Sequence, residues 1–304
     1  VDVRRLTLLR ELAERGSVTA VANALHLTPS AVSQQLKTLE REAGVALTER
    51  AGRGLTLTTA GHALARTAQD VAVALQRAEA SWAEFVEQPR GEVSVTFFPT
   101  GGEMLLPGFL TRVAGVQGLK IVCTDQDPLL PDFADLTADH DIAVADAPGI
   151  LPGWRDRHLV TVELMREPLD IVLPEGHPLA EKAELTPADV VDEDWIGTTE
   201  GYPFDRILQR IGVLTGHETH IVQRFVDNSI VEVLVAAGHG IAILPRFTTR
   251  DRENGLVTRP LVGVRSERGI WAIMRPDRAV RPSVRLVVDA LRDEAAAFLA
   301  AHAN

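Results

Sequence analysis

The 304-residue chain is 45% hydrophobic and 24% charged, with a formal net charge of −11, the balance of a globular protein of about two domains. One cysteine, Cys123, excludes an intramolecular disulfide and a cysteine-based zinc cluster, and suits a reducing compartment. No apolar run approaches the roughly 20 residues of a membrane span, and the charged N-terminal stretch enters an amphipathic helix at once, so neither a signal peptide nor membrane association is expected, and the cytoplasm is the expected location. The charge is divided unevenly. Residues 1–66 hold nine Arg or Lys against six Asp or Glu, a net +3 that leaves −14 for the rest. A mildly basic head on an acidic body can meet phosphate while the body repels non-specific DNA.

Residues 2–14 read as a helix with Leu6, Leu9, Leu12 and Ala13 as its apolar stripe. Ser17 is an N-cap for a second helix, with Val18, Val21, Ala22 and Leu25 on one side. Thr28 caps a third helix with Pro29 in its first turn; Val32, Leu36, Leu39 and Ala43 form its buried stripe. Ser30, Ser33, Gln34, Lys37 and Arg41 are left outside. Two short helices around a tight turn make a helix-turn-helix, although the bare pattern also fits an αα-corner in a core. Gly44 reads as a C-cap, and Val45, Leu47, Leu55 and Leu57 alternate around AGRG. That is a hairpin wing with Gly52 and Gly54 in the turn and Arg50 and Arg53 near the tip, placed to grip phosphate. Thr58 or Thr59 caps a long helix expected to run to Pro89. Leu64, Ala68, Val71, Leu75, Ala78, Trp82 and Phe85 repeat along it at 4, 3, 4, 3, 4, 3, a heptad seam suited to a second copy of itself.

The run GSVTAVANALHLTPSAVSQQLKTLEREAGVALTERAGRGLTLTTAG, followed by that helix, resembles the winged-helix head and linker helix of the LysR-type transcriptional regulators, a bacterial family. The resemblance implies a homodimer on palindromic operator DNA, with homotetramers frequent. It places DNA contacts at Thr28, Pro29, Ser30, Ser33, Gln34, Lys37, Arg50 and Arg53. Two positions depart from the family pattern: Thr48 stands where an aromatic is usual, and Gln34 where an Arg is common.

From Glu92 the rhythm changes to strands alternating with helices. Val93, Val95 and Phe97 alternate, FPTGGEMLLPGFL turns into a helix, and LKIVCT and DIAVAD are further strands. The chain crosses over between Trp154 and Leu164. PLDIVLPEGHPLA opens a second set, continued by WIGTTEGYPF, HIVQRF, a helix at 228–237, GIAILP and GIWAIM. A helix at 282–301 closes the chain. This is α/β with mixed sheets in two similar lobes. LLP, DIAVADAP, VLPEGHPLA and VAAGHGIAILP resemble the same family's two-lobed, periplasmic-binding-protein-like effector domain. The expected division is residues 1–58 for the winged helix, 59–89 for the linker and 90–304 for the effector domain. Within the last, lobe I takes about 90–162 and 265–304, and lobe II about 163–264.

No nucleophile elbow, zincin motif or phosphate loop is present, so no enzyme and no cofactor are expected. Gly238-His239-Gly240 reads as a helix end feeding a buried strand. His217 and His220 lack a third metal ligand, and Cys123 lies in an apolar strand. The remaining chemistry is a ligand cleft at the carboxyl ends of strands. Its candidates are Thr100, Gly101, Gly102 and Glu103, with Thr124 and Asp146, in one lobe, and Thr198, Thr199, Asp227 and Asn228 in the other. Thr100, and one of Thr198 or Thr199, match positions where family members place effector-binding hydroxyls. Each of the ten also fits a turn or helix cap satisfying its own backbone. First-turn amides at Thr100-Gly101-Gly102 favour a carboxylate, while Glu103, Asp125, Asp127, Asp146 and Asp227 favour an amine, so the effector expected is amino-acid-like.

Overall fold

The computed structural model describes residues 2–51, 54–85, 91–250 and 255–302. The head begins with α1 (Val3–Arg15), α2 (Val18–Ala24) and α3 (Pro29–Ala43). Asp2 accepts from the Arg4 amide, Ser17 from Ala20 and Thr28 from Ala31, so each helix starts where a side-chain oxygen satisfies an orphan N–H. Gly16 and Gly44 end α1 and α3 at φ 68° and 71°, a left-handed backbone that a residue without Cβ adopts freely. Leu6, Leu9, Leu12, Val21, Ala22, Val32, Leu36 and Leu39 form the shared core. Two stripe positions differ from expectation: Ala13 and Ala43 are exposed, while Leu8 and Glu11 are buried. The cause is that α1 is covered on a second flank by the linker helix and the body.

The wing pairs β1 (Thr48–Ala51) with β2 (Gly54–Leu57) antiparallel, Thr48 opposite Leu57 and Ala51 opposite Gly54. Leu47 and Leu57 point into the head core, but Val45 is 48% exposed and outside the strand. Gly52 and Arg53 lie outside the described residues. Where the family's aromatic is missing, Thr48 works by hydrogen bonds. One oxygen of Glu40 on α3 accepts from the Leu47 amide (3.0 Å), the Thr48 amide (2.8 Å) and the Thr48 hydroxyl (2.8 Å). Burial works to raise the Glu40 carboxyl, yet these bonds outweigh it and hold it below the ordinary range.

Helix α4 (Thr59–Phe85) is capped by Thr58, which accepts from the Gly61 amide and donates to the Ala46 carbonyl. A Cβ at Gly61 would fall on the Leu47 carbonyl oxygen, so only glycine lets α4 lie this close to the backbone that leads into β1. Ala68 is buried, and Leu64 and Val71 are half-buried against the head. Further along, Leu75 is 45% and Trp82 67% exposed. The single seam thus serves two partners: its first half the head, its second half an outward surface. Residues 86–90, where the helix was expected to end, lie outside the described residues.

In the body, β3 (Gly91–Phe97), α5 (Pro99–Val113), β4 (Leu119–Asp125), α6 (Phe133–Leu136), β5 (Ile142–Ala147) and α7 (Pro152–Asp156) build the first lobe. β6 (Val160–Pro174) leads into the second, made of α8 (Pro187–Val190), β7 (Asp194–Gly197), α9 (Pro203–Thr215), β8 (His220–Arg224), α10 (Asn228–Ala236), β9 (Ala242–Pro245) and β10 (Leu256–Pro260). β11 (Glu267–Met274), α11 (Pro276–Ala279) and α12 (Pro282–Ala301) return to the first. The main sheet runs β10-β6-β11-β5-β3-β4, with β9 also on β6; β7 and β8 pair separately. β3 is parallel to β4 and β5, whereas β11 is antiparallel to β5 and β6. β6 belongs to both lobes: 160–168 pair with β11, and 169–174 with β9 and β10. Phe97, Phe109, Phe133 and Trp154 fill the first core, Trp195 and Ile211 the second.

WIGTTEGYPF is a strand only through Gly197; Pro203 then opens α9, whose Phe204, Ile207, Leu208 and Ile211 are buried at helical spacing. Gly240 precedes β9, and a Cβ there would strike the Asp194 carbonyl. No helix among the described residues is long and apolar enough to cross a membrane.

Replacing Glu40 by Ala orphans three donors, and the head is expected to lose about 1–3 kcal/mol at neutral pH. Because the folded carboxyl lies below its unfolded value, this contribution is complete above the unfolded pKa and lost as pH falls through the folded one. Thermal melts of wild type and Glu40→Ala should therefore converge in acid. A gap that persists unchanged there would contradict the anchor.

Candidate functional site

Two surfaces could carry function. On the head, Thr28, Pro29, Ser30, Gln34 and Lys37 are exposed and Ser33 is half-exposed, away from the buried Val32, Leu36 and Leu39 of α3, and Arg50 is exposed on β1. Thr28 Oγ1 lies 3.0 Å from Ser30 Oγ, so both hydroxyls sit at the positive end of the helix. Arg53 lies outside the described residues. A convex helix face with hydroxyls, an amide and a lysine fits a groove of duplex DNA.

The second surface is a cavity of about 450 Å³ between the two lobes. Arg268, at the start of β11 and 3% exposed, forms its floor. Its Nε and Nη2 donate to Glu167 Oε2 (2.9 and 2.6 Å), its Nη1 to Asp146 Oδ2 (3.2 Å) and its Nη2 to Thr100 Oγ1 (2.7 Å). The guanidinium also lies over the rings of Phe98 and Phe204, 4.9 and 5.6 Å from their centroids. Burial opposes its charge, and Glu167 and Asp146 sustain it. Asp146 is raised, because burial outweighs the pull of Arg268. Asp127 is pushed up to about 6, by burial and then by Asp146.

Polar contacts also span the cleft: Tyr202 Oη donates to the Asp127 carbonyl (3.2 Å), and Arg250 Nη2 lies 3.9 Å from Glu103 Oε1. Six expected residues line the cavity: Thr100, Glu103, Asp146, Thr198, Asp227 and Asn228. Gly101 and Gly102 are buried beneath it in the first turn of α5, where no side chain caps the amides. Asp227 is committed to capping α10, accepting from the Ser229 amide and hydroxyl.

Thr124 and Thr199 are not among the lining residues. Thr124 is exposed near the end of β4, the edge strand, and Thr199 is exposed beside the buried Thr198. Asp125 likewise ends β4. Arg268, Tyr202, Phe98 and Phe204 were not anticipated; Arg268 stands one residue before GIWAIM, Phe98 opens the run that reads as a helix, and Tyr202 and Phe204 fall in WIGTTEGYPF. His220 pairs with Asp194 (2.6 Å) and His217 with Asp192 (3.5 Å), two separate contacts. Cys123 is half-buried in β4, and burial pushes its thiol up.

Arg268→Met should leave the fully buried Glu167 and Asp146 without a counter-charge, costing the body about 3–5 kcal/mol in a denaturant titration. A loss below about 1 kcal/mol would mean that these ion pairs contribute little to the stability of the body.

Two family models match this chain: "Bacterial regulatory helix-turn-helix protein, lysR family" over residues 3–62, and "LysR substrate binding domain" over residues 87–296. Among curated relatives, the RuBisCO operon transcriptional regulator of Allochromatium vinosum is 24% identical, covering 97% of each chain. The transcriptional activator protein LysR of Escherichia coli K12 is 28% identical over 85% of this chain and 82% of its own. Among solved structures, a full-length OxyR variant from Pseudomonas aeruginosa superposes with a TM-score of 0.64 at 19% identity, covering 96% and 97% of the two chains. Full-length CbnR complexed with its target DNA gives 0.54 at 23% identity, covering 97% and 100%. These likenesses extend from the first helix to the last. The chain belongs to the LysR family of DNA-binding, effector-responsive transcriptional regulators and is not an enzyme.

Proposed function

We propose that this regulator binds a palindromic operator as a homodimer, assembling further into a homotetramer, and that a small amino-acid-like effector in the inter-lobe cavity alters the geometry of that assembly on DNA. The observation that carries the reading is the cavity itself, a ligand-sized space whose charged floor, Arg268, is bonded to β5, β6 and α5 and lies over the Phe204 ring of the second lobe. The working units are residues 1–58, 59–89 and 90–304, and the compartment is the cytoplasm. The exposed second half of the α4 seam, Leu75 to Trp82, supplies a dimer surface.

DNA is read by Thr28, Pro29, Ser30, Ser33, Gln34 and Lys37 and gripped by Arg50 and Arg53. The amide of Gln34 has the geometry for adenine N6 and N7. Gln34→Ala should cost about 1–3 kcal/mol on the operator and little on random DNA, and Arg50→Ala should weaken all sequences alike and flatten the salt slope by about one. Fluorescence anisotropy with DNA flanking the coding sequence checks both. Equal losses on operator and random DNA for Gln34→Ala would remove it as a reader.

For the effector, the first-turn amides of Thr100 and Gly101 on α5 receive a carboxylate, next to Gly102, whose amide donates to the Phe98 carbonyl (3.0 Å), and Asp127 with Asp146 receives an ammonium. Thr198, Asp227, Asn228 and Glu103 border the space, with Thr124 and Thr199 further out. Arg268 is already engaged by Glu167, Asp146 and Thr100, so a dicarboxylate finds little free cation there. Because Asp127 ionises near pH 6, an ammonium ligand should bind more tightly as pH rises through 6 and release a proton as it binds. Calorimetry of the full chain with amino acids and matched dicarboxylates, in buffers of different ionisation enthalpy, measures both. Tighter binding of the dicarboxylate would overturn the amino-acid assignment.

A further inference from the structure

The head touches the body of its own chain through charges. On α1, Glu11 accepts from Arg10 Nη2 (3.1 Å), Arg15 Nε (2.9 Å) and Arg275 Nη1 (3.0 Å), the last from just beyond β11. On α11, Asp277 accepts from Arg10 Nη1 (3.2 Å), Arg275 Nε (3.2 Å) and Gln69 Nε2 of α4 (3.0 Å). Arg15 reaches on to Asp139 Oδ1 and the Ala138 carbonyl, both at 2.7 Å. Glu11, Arg275 and Asp277 are only 5%, 2% and 5% exposed.

Arg10, Arg15 and Arg275 meet Glu11, Asp277 and Asp139 here, and Glu14, Arg157 and Arg278 lie within electrostatic reach, so the contact is built of charges of both signs. Such a contact behaves differently from an apolar one. Each group regains hydration when the surfaces part, so separation into water is inexpensive. A misfit that keeps the groups buried but unpaired is heavily penalised. The contact therefore holds one orientation or none.

Its position adds a second property. β11 begins with Glu267 and Arg268, at the cleft floor, and ends at Met274, next to Arg275. Seven residues of extended strand place the two arginines about 23 Å apart. β11 lies between β5 and β6, and its pairing with β5 is unbroken from Gly269 to Ile273. The one irregularity, at Ile270/Trp271, interrupts register on the β6 side alone.

We propose that the Glu11–Arg275–Asp277 cluster is a latch that docks the DNA-binding head onto its own effector body, and that β11 transmits the state of Arg268 in the cleft to that latch. Release of the latch frees the head to reorient on DNA. The transmission half rests on the cavity being the effector site; the docking half does not.

Amide hydrogen exchange of the full chain tests both halves without DNA. In Glu11→Gln and in Arg275→Met, exchange at 136–140 and 276–281 should rise about tenfold, while α3 and the core strands stay as in wild type. Arg15→Met, at the less buried end of the cluster, should raise exchange at 136–140, so the test stands even if one variant fails to fold. Unchanged exchange in those segments, in variants whose α3 and core strands match wild type, overturns the latch. For transmission, Arg268→Lys keeps the charge but loses the fork. Exchange at 276–281 should rise relative to α12; no rise, or an equal rise in α12, overturns transmission. Because no readout involves DNA, failure of operator binding would count against the proposed function alone.

Discussion

A guanidinium removed from water must keep its partners. Arg268 and Arg275 are 3% and 2% exposed; Arg268 is tied to Asp146 and Glu167, and Arg275 to Glu11 and to its near neighbour Asp277. Neither can move alone, since an unpaired charge in that setting costs several kcal/mol. The position of strand β11 is fixed by this requirement. So are the helix α5 that brings Thr100, the strands β5 and β6 that bring Asp146 and Glu167, and the helix α1 that brings Glu11. The two working surfaces of the molecule are thereby referred to one strand.

The head uses the same economy on a smaller scale. A single carboxylate, Glu40, fastens the wing to the helix that carries the reading face, through three hydrogen bonds. With Gly61 allowing α4 to close against Leu47, the wing, α3 and the linker form one unit. What the head exposes is therefore a chosen set: short polar side chains on α3 and the outward half of the α4 seam.

Local chemistry was legible in the sequence where it is enforced by neighbours a few residues away. Ser17, Thr28 and Gly44 announce helix ends because capping is settled within one turn. The heptad along α4 declared its partnered face, though not that the head would take the first half. In the body, alternation identified β3 and an apolar run identified β11, but α9 was hidden because its start at Pro203 falls inside WIGTTEGYPF. Six of ten expected cleft residues line the cavity, since helix starts and strand ends converge there. Arg268 escaped notice for a physical reason: it lies in an apolar strand, 168 residues from Thr100, and only the tertiary fold gives it a purpose. The burial of Glu11 was equally unreadable, because an amphipathic helix carries no mark of which polar residue a distant arginine will cover.

The central claim is that occupancy of the inter-lobe cavity is read out as a change of geometry on DNA. DNase I footprinting of the full chain on the intergenic DNA beside its coding sequence tests this most directly, with and without metabolites handled by the neighbouring genes. The expected result is a symmetric pair of protected half-sites on one face of the duplex, with the outer protection moving when a cavity-binding metabolite is added. A footprint that no cavity-binding molecule alters, or the absence of any protected site, would contradict the account.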